Sequence, residues 1–190
     1  MERHMAAVPV LFLDIKASAV DGWPVEIAWA AADLQAGESW LVRPVAEWDD
    51  LPWSAEAEAL HGLTPERLEA DGTDPRRIAA RLSEDLAGCR VVCEAPEAVR
   101  GWLQALFDQS PLPQPPHVAG SASLRPPPLP ADEPALMRLR ARAGLTPGRA
   151  LDDAVALALA WALAKGTEDA EDLAADARDL VAFAGRPDGD

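Results

Sequence analysis

Val10–Ser18 reads VLFLDIKAS, an apolar run that contains one acid, Asp14, and one base, Lys16. An apolar run of this length, bounded by a turn, is typical of a strand buried on both faces of a sheet. We place this first strand at Leu11–Asp14, with Asp14 at its end. Open α/β folds bind ligands at the carboxyl edge of their strands, so Asp14 is the first candidate site residue. Capping of a turn is the alternative role for this acid.

The stretches that follow predict the rest of an α/β fold. Val25–Ala32 and Glu38–Arg43 follow short turns, so the first three strands are expected to form an antiparallel meander. Strand-like Arg90–Cys93 is followed by helical patterns, which predicts a mixed sheet that adds parallel strands to the meander and has helices on both faces. Helices are predicted at 75–86, 96–108, 132–143 and 149–165, with a last helix that Thr167 caps and that runs to about residue 184. Ser54, Thr64 and Asp74 are predicted N-caps, of a short helix through Leu60, of a turn that starts at Pro65 and of the helix at 75–86.

The length and composition predict one main domain. A chain of 190 residues, of which 49% are apolar, can form a single hydrophobic core. We assign residues 1–165 to this domain, 166–185 to an acidic helix packed on it or appended to it, and 186–190 to a tail. The proline-rich segment 111–130 is expected to be a stiff surface loop. Its alternative role is a docking motif for a proline-binding module.

Charge and apolar patterning exclude some function classes. The net charge of -15 disfavours polyanions, so nucleic-acid binding should be weak or absent. No apolar run reaches the roughly 18 residues of a membrane span, and the first nine residues lack a signal-peptide pattern. Cys89 and Cys93 lack the spacing of a zinc site. We therefore expect a cytoplasmic protein with no membrane association.

Five stretches occur in an order and spacing that identify a family. They are LFLDIKAS (11–18), WPVEIAWA (23–30), AEALHGLTPERL (57–68), VVCEAPEAVRGWL (91–103) and GRALDDAVALA (148–158). Together they resemble the DEDDh-type 3′–5′ exonucleases, the family of RNase T and the proofreading exonuclease subunit, over residues 8–163. The resemblance implies a ribonuclease H-like fold. It also implies four carboxylates that hold two magnesium ions, and a histidine that deprotonates the attacking water.

Only part of the family's catalytic set is present. Asp14 and Asp153 match two of the four acids. Lys16 stands where the glutamate of the first motif belongs, and Val99 stands at the acid of the helix after the fourth strand. Gly148 replaces the histidine of the last motif. The resemblance therefore implies a catalytic site with two of its four carboxylates and without its general base.

The charge of the altered site predicts the consequence. Replacing a carboxylate with an ammonium group at position 16 adds positive charge to a site that must gather hard cations. We therefore expect no cofactor and a pseudo-exonuclease, with Lys16 Nζ within about 4 Å of Asp14 or Asp153, as in an ion pair. The alternative for Lys16 is that it extends into solvent while Asp153 caps its helix.

Two further functional hypotheses remain open. In the first, the chain is an active nuclease on RNA or DNA: Glu94, Glu97 or Asp152 replaces a lost ligand, and His61 acts as the base. Asp14 and Asp153 would then bind Mg²⁺ or Mn²⁺.

In the second, the chain is an interaction module that holds an unidentified protein partner. The candidate surfaces are the proline-rich loop and the three tryptophans Trp23, Trp48 and Trp53, although core packing is the more common fate of tryptophan. Members of the resembled family often dimerise, so a second copy of this chain is a further candidate partner.

Overall fold

The computed structural model of the chain describes residues 8–112, 114–166 and 169–184. The strands are β1 (Val10–Ala17), β2 (Pro24–Ala31), β3 (Gly37–Leu41), β4 (Arg90–Cys93) and β5 (Val118–Gly120). The helices are α1 (Ala55–His61), α2 (Pro65–Asp71), α3 (Pro75–Asp85), α4 (Pro96–Phe107), α5 (Pro134–Ala143), α6 (Ala150–Ala164) and α7 (Ala170–Ala184).

These strands form one mixed sheet in the order β3-β2-β1-β4-β5. The pairs β1–β2 and β2–β3 are antiparallel, whereas β4 runs parallel to β1 and β5 runs parallel to β4. The predicted meander, the parallel strand and the α/β class are confirmed.

The alternation of side chains along β1 gives the sheet two apolar faces. Leu13 and Ile15 belong to one core, which also contains the buried residues of α3 and α4. Phe12 belongs to a second core, which contains the buried residues of α5, α6 and α7. Because side chains two residues apart in a strand share a face, Asp14 and Lys16 lie on the Phe12 side, toward α6. This register brings both charged residues to the face on which Asp153 lies.

Three predicted helix starts are confirmed by their caps. Ser54 Oγ accepts a hydrogen bond from the Ala57 N–H, and Thr64 Oγ1 accepts one from the Arg67 N–H. The Asp74 side chain accepts one from the Arg76 N–H at the start of α3. These bonds satisfy backbone donors that a helix start otherwise leaves without a partner.

The expectation that Asp14 ends the first strand is wrong. β1 continues to Ala17 because its antiparallel pairing with β2 continues, with Lys16 opposite Glu26. The parallel pairing with β4 extends only as far as Phe12 opposite Val92. Asp14 therefore lies inside a strand, two residues past the point where its parallel neighbour ends.

The proline-rich segment contributes to the fold. Its residues Val118–Gly120 form β5 at one edge of the sheet, where a segment with few backbone donors is tolerated. Leu124 is buried, and the Trp161 indole N–H donates to the Pro126 carbonyl at 3.0 Å. The expectation of a surface loop is therefore corrected for this part of the segment.

Helix α7 packs against the rest of the chain. Ala174, Ala177 and Leu180 are buried in the second core, and α7 contacts α5, α6 and β3. The predicted cap Thr167 and the predicted tail at 186–190 lie outside the described residues, as do residues 1–7. In the part of the chain that the structure describes, no helix has the length and apolar character to cross a membrane.

Candidate functional site: an ion-pair cluster around Lys16

Lys16 bridges the two acids that the exonuclease resemblance assigns to the site. Its Nζ lies 2.7 Å from Asp14 Oδ2 and 2.8 Å from Asp153 Oδ2. Asp14 and Lys16 project from the same face of β1, and Asp153 reaches them from the first turn of α6, which packs across β1 and β2. The prediction that Lys16 pairs with at least one of these acids is confirmed, and the alternative that it extends into solvent is wrong.

A second cation, Arg140, contacts the same cluster. Its Nη2 lies 3.4 Å from Asp153 Oδ1, while the Gly148 backbone N–H donates to Asp153 Oδ2 at 3.2 Å. Two carboxylates thus face two cationic side chains. The sequence analysis missed Arg140. A signal was present, because α5 carries three arginines and no acid.

The surroundings of Asp14 raise the pKa of its carboxyl group. Burial raises the pKa of the Asp14 carboxyl group to about 7, although the ammonium group of Lys16 opposes that shift. About a quarter of the Asp14 side chain is exposed, but the Oδ2 atom that faces Lys16 is buried. Burial also disfavours the charged form of Lys16, but attraction to Asp14 outweighs it and raises the Lys16 pKa. Lys16 therefore keeps its charge at neutral pH, where Asp14 begins to take up a proton.

Asp152 is held by a backbone contact with the loop before α6. It is buried, and its Oδ2 accepts a hydrogen bond from the Thr146 N–H at 2.6 Å, which holds the loop before α6. Burial raises the pKa of its carboxyl group. In this position one oxygen of Asp152 is engaged in positioning the loop before α6.

Glu26 is a buried acid that the sequence analysis did not select. Only 1% of its side chain is exposed, and its Oε1 lies 2.6 Å from Arg149 Nη2. Its Oε2 accepts a hydrogen bond from the Ala150 N–H at the start of α6, at 2.9 Å. Glu26 therefore anchors the start of α6 to β2, three residues before Asp153. The single acid in the apolar strand PVEIAWAA was the available signal.

Val99 and Gly148, the two other residues at which the resemblance predicts a change, carry no polar side chain. Val99 is 3% exposed and packs in the core on the α4 side of the sheet. Gly148 has a positive φ of 93°, and a Cβ built on it would overlap the Leu60 carbonyl oxygen at the end of α1. This overlap leaves no room for a side chain at position 148.

His61 is held in a structural contact. It is 6% exposed, and its Nδ1 accepts a hydrogen bond from the Leu63 N–H at 3.0 Å. Burial lowers the pKa of its imidazole, so the ring is neutral and carries its proton on Nε2. Neither nitrogen then has a free lone pair to accept a proton from water.

Glu94 and Glu97 differ in their distance from the cluster. The charge of Glu94, at the end of β4, contributes to the raised pKa of Asp14. Glu97 is 83% exposed, and its nearest cation is Arg100 at 3.8 Å. Of these two acids, Glu94 is the one whose charge acts on Asp14.

These residues, as placed, do not fit a two-ion metal site. A divalent ion between Asp14 and Asp153 would have to displace the Lys16 ammonium group, which contacts both acids. Across residues 8–112, 114–166 and 169–184, no group of three or more His, Cys, Asp or Glu side chains is arranged to hold a metal ion.

The proposed tryptophan surface is not available. Trp23 and Trp48 are buried in the first core, and their rings stack with centroids 5.3 Å apart. Trp53 is partly buried against them, with its indole N–H donating to Glu58 Oε2 at 2.6 Å. Core packing, the alternative given above, is the role of these rings.

Comparison with known proteins identifies the fold. No protein-family model matches the chain, and no curated protein matches it. Among solved structures, exonuclease I from Methylocaldum szegediense matches with a TM-score of 0.59 and 15% identity, over 93% of this chain and 46% of that one. Exonuclease I from E. coli in complex with a dT13 oligonucleotide matches with a TM-score of 0.58 and 16% identity, over 83% and 41%.

A third structure, described as suggesting how exonuclease I achieves processivity, matches with a TM-score of 0.60 and 16% identity. The match covers 41% of that structure's chain. This chain therefore spans less than half the length of each of these three neighbours. At such identities the likeness establishes the fold. The five-stranded mixed sheet with helices on both faces is the ribonuclease H-like fold of the exonuclease I structures.

Proposed function

We propose that this chain is an exonuclease-fold protein that has lost phosphodiester hydrolysis and acts by binding. The observation that carries the proposal is the position of the Lys16 ammonium group, 2.7 Å from Asp14 and 2.8 Å from Asp153. A covalently attached cation there supplies the counter-charge that metal ions supply in the family. The two acids are therefore satisfied without a divalent ion.

The size of the expected catalytic loss supports this proposal. Hydrolysis of a phosphodiester by two metal ions requires cations that stabilise both the attacking and the leaving oxygen. One ammonium group cannot do both, and magnesium binds weakly where it has few protein ligands. The lack of a base at position 148 costs a further factor of about 10² to 10⁴ in rate.

A metal titration combined with a nuclease assay tests the proposal. We expect no heat of binding when Mn²⁺ is added to the wild-type chain, and no 3′-end trimming of labelled single-stranded DNA or RNA with Mg²⁺ or Mn²⁺. The Asp14→Ala variant is the matched control for contaminating nucleases. Metal-dependent trimming by the wild type that Asp14→Ala abolishes would refute the loss of activity.

An active nuclease is the competing function, and one observation favours it. Glu94 lies near enough to Asp14 for its charge to affect the Asp14 pKa, so it is the available replacement ligand. In that case Mn²⁺ binding would require Glu94, and Glu94→Gln would abolish both binding and trimming. The same two measurements thus separate the two functions.

The proline-rich segment is the candidate surface for a protein partner. Pro127 and Pro130 are exposed, while the neighbouring Leu129 N–H is fixed to the Ala160 carbonyl at 3.2 Å. A segment held in place binds an aromatic groove at a low entropic cost.

Deletion of residues 111–130 would also remove β5 and the buried Leu124, so point substitutions are the better test. We expect the double variant Pro127→Ala/Pro130→Ala to keep the wild-type Tm and to lose its partner in a pull-down. Retention of the same partner by this variant would exclude the proline-rich segment as the binding surface.

A further inference from the structure

The end of α1 meets the loop before α6 in a contact between two backbones. A Cβ built on Gly148 would overlap the Leu60 carbonyl oxygen and would lie 3.8 Å from the His61 Cα. Four other glycines with positive φ are described, and a Cβ built on any of them would have nothing within 4 Å: Gly62, Gly88, Gly144 and Gly166. Among the described glycines with positive φ, the close approach therefore occurs at Gly148, and it does not follow from positive φ alone.

Both sides of this contact are held by other interactions. On the α1 side, the Gly62 N–H donates to the Glu58 carbonyl at 2.7 Å, and the buried His61 ring accepts from the Leu63 N–H. On the loop side, the Gly148 N–H donates to Asp153, and the next residue, Arg149, is paired with Glu26. Withdrawal of either backbone would break these hydrogen bonds, of which the one to the His61 ring is buried.

We infer that the end of α1 is an internal plug, which closes the general-base position of the exonuclease fold with backbone atoms. This inference rests on the proposed function, because it assigns the base position to residue 148. The Leu60 carbonyl oxygen occupies the space into which a side chain at 148 would project. The φ of Gly148 also disfavours every residue with a Cβ. Restoring the missing side chain therefore cannot restore the site while α1 ends where it does.

The first test compares two glycines of the same loop. Gly144→Ala carries the backbone strain of a positive φ of 73° in open space, so it should lower Tm by a few degrees. Gly148→Ala adds the overlap with Leu60, and we expect at least twice that shift, or no folding under conditions in which Gly144→Ala folds. Equal shifts for the two variants would overturn the plug.

The second test restores family residues and measures metal binding beside activity. Lys16→Glu returns an acid to the cluster, and we expect it to bind Mn²⁺ without trimming oligonucleotides. Adding Gly148→His should lower Tm at least as far as Gly148→Ala does and still give no trimming. The plug is refuted if Lys16→Glu/Gly148→His keeps the Tm of Lys16→Glu and trims at least 100-fold faster than it.

The two tests also separate this inference from the proposed function. Nuclease activity in the wild-type chain would refute the proposed function. The comparison of Gly148→Ala with Gly144→Ala would still report on the contact with Leu60. If the wild type has no activity and Gly148→Ala and Gly144→Ala shift Tm equally, the plug is refuted and the proposed function is not.

Discussion

Lys16 lies between two carboxylates, and at the scale of single residues this position determines the chemistry of the site. The Lys16 side chain is 20% exposed, so its contacts with Asp14 and Asp153 are only partly screened by water. Arg140 adds a second positive charge at Asp153. A carboxylate pair that would otherwise attract divalent ions is thus neutralised by side chains of the chain itself.

Removing the ammonium group should destabilise the chain and create a metal site. Lys16→Met keeps the apolar stem and leaves the Oδ2 atoms of Asp14 and Asp153 without their shared cation. We expect a loss of about 1–3 kcal/mol in the free energy of unfolding, less than for a fully buried pair because Arg140 remains. Mn²⁺ should then raise the Tm of the variant and leave the wild type unchanged. Urea and thermal unfolding with and without Mn²⁺ measure both effects.

A matched control for this variant is Arg67→Met. Arg67 forms an i,i+4 pair with Asp71 on the surface of α2, and its side chain is 60% exposed. Exposed pairs contribute little to stability, so we expect no measurable change. Equal effects of Lys16→Met and Arg67→Met, with no response to Mn²⁺, would contradict the proposed role of Lys16.

The raised pKa of Asp14 predicts a pH-dependent stability. The carboxyl group has a pKa of 3.8 in the unfolded chain and of about 7 in the folded chain, so between these pH values the folded state binds more protons. The contribution of Asp14 to the free energy of unfolding is therefore complete below the lower pKa. It is lost as pH rises to the upper one, by about 1.4 kcal/mol per pKa unit.

The variant Asp14→Asn isolates this contribution, because it keeps the shape of the side chain and cannot ionise. We expect urea unfolding to show that the wild type loses stability relative to Asp14→Asn as pH rises from about 4 to about 7, with a constant difference at higher pH. Parallel stability curves over that range would show that the Asp14 pKa is not raised.

At the scale of secondary-structure elements, α6 is positioned by carboxylates near its first turn. Glu26 from β2 holds Arg149 and the Ala150 N–H, and Asp152 holds the Thr146 N–H of the preceding loop. These contacts fix where α6 begins on the sheet. Since Asp153 is three residues past that point, they also set its distance from Lys16.

Loss of the Glu26 carboxylate should therefore loosen the start of α6. Glu26→Ala leaves the Ala150 N–H buried without an acceptor and removes the partner of Arg149. We expect a loss of about 3 kcal/mol in the free energy of unfolding. Glu26→Gln keeps one acceptor oxygen and should cost less than half as much.

A double-mutant cycle with Arg149→Ala, measured by urea unfolding, gives the coupling energy of the pair. Additive effects of Glu26→Ala and Arg149→Ala would mean that the ion pair does not anchor the helix.

At the scale of the whole molecule, the sheet separates two apolar cores, and α7 completes the second one. Leu180 is 6% exposed, and its Cδ1 would lie 3.1 Å from a Cβ built on Gly37 in β3. The C-terminal helix thus covers part of the sheet that would otherwise face water. It is a structural part of the domain in the residues that the structure describes.

The loss of stability on truncating a side chain of α7 should depend on whether that side chain faces the core or the solvent. Leu180→Ala removes buried atoms and should lower the free energy of unfolding by about 2–4 kcal/mol. Phe183→Ala, in the same helix but 76% exposed, should leave it almost unchanged. Urea unfolding of the two variants measures the difference. Similar small effects for both would mean that α7 is only loosely attached.

Local patterns in the sequence predicted much of this molecule. The apolar runs located β1 to β4, and the caps Ser54, Thr64 and Asp74 located three helices, because these signals act within a few residues. The end of β1 was misplaced, since that depends on pairing with Glu26 across the sheet. The short strand β5 was not predicted, because it has three residues and lies among the prolines of segment 111–130.

The sequence by itself determined which chemical groups this site contains: the acids Asp14 and Asp153, the base Lys16, and no side chain at position 148. Only the tertiary structure decided how these groups meet, with Lys16 and Asp153 joined over 137 positions of the chain and Leu60 closing Gly148. The identity of each side chain and the local apolar pattern follow directly from the sequence. The distances between remote side chains depend on how β1, α1 and α6 pack together.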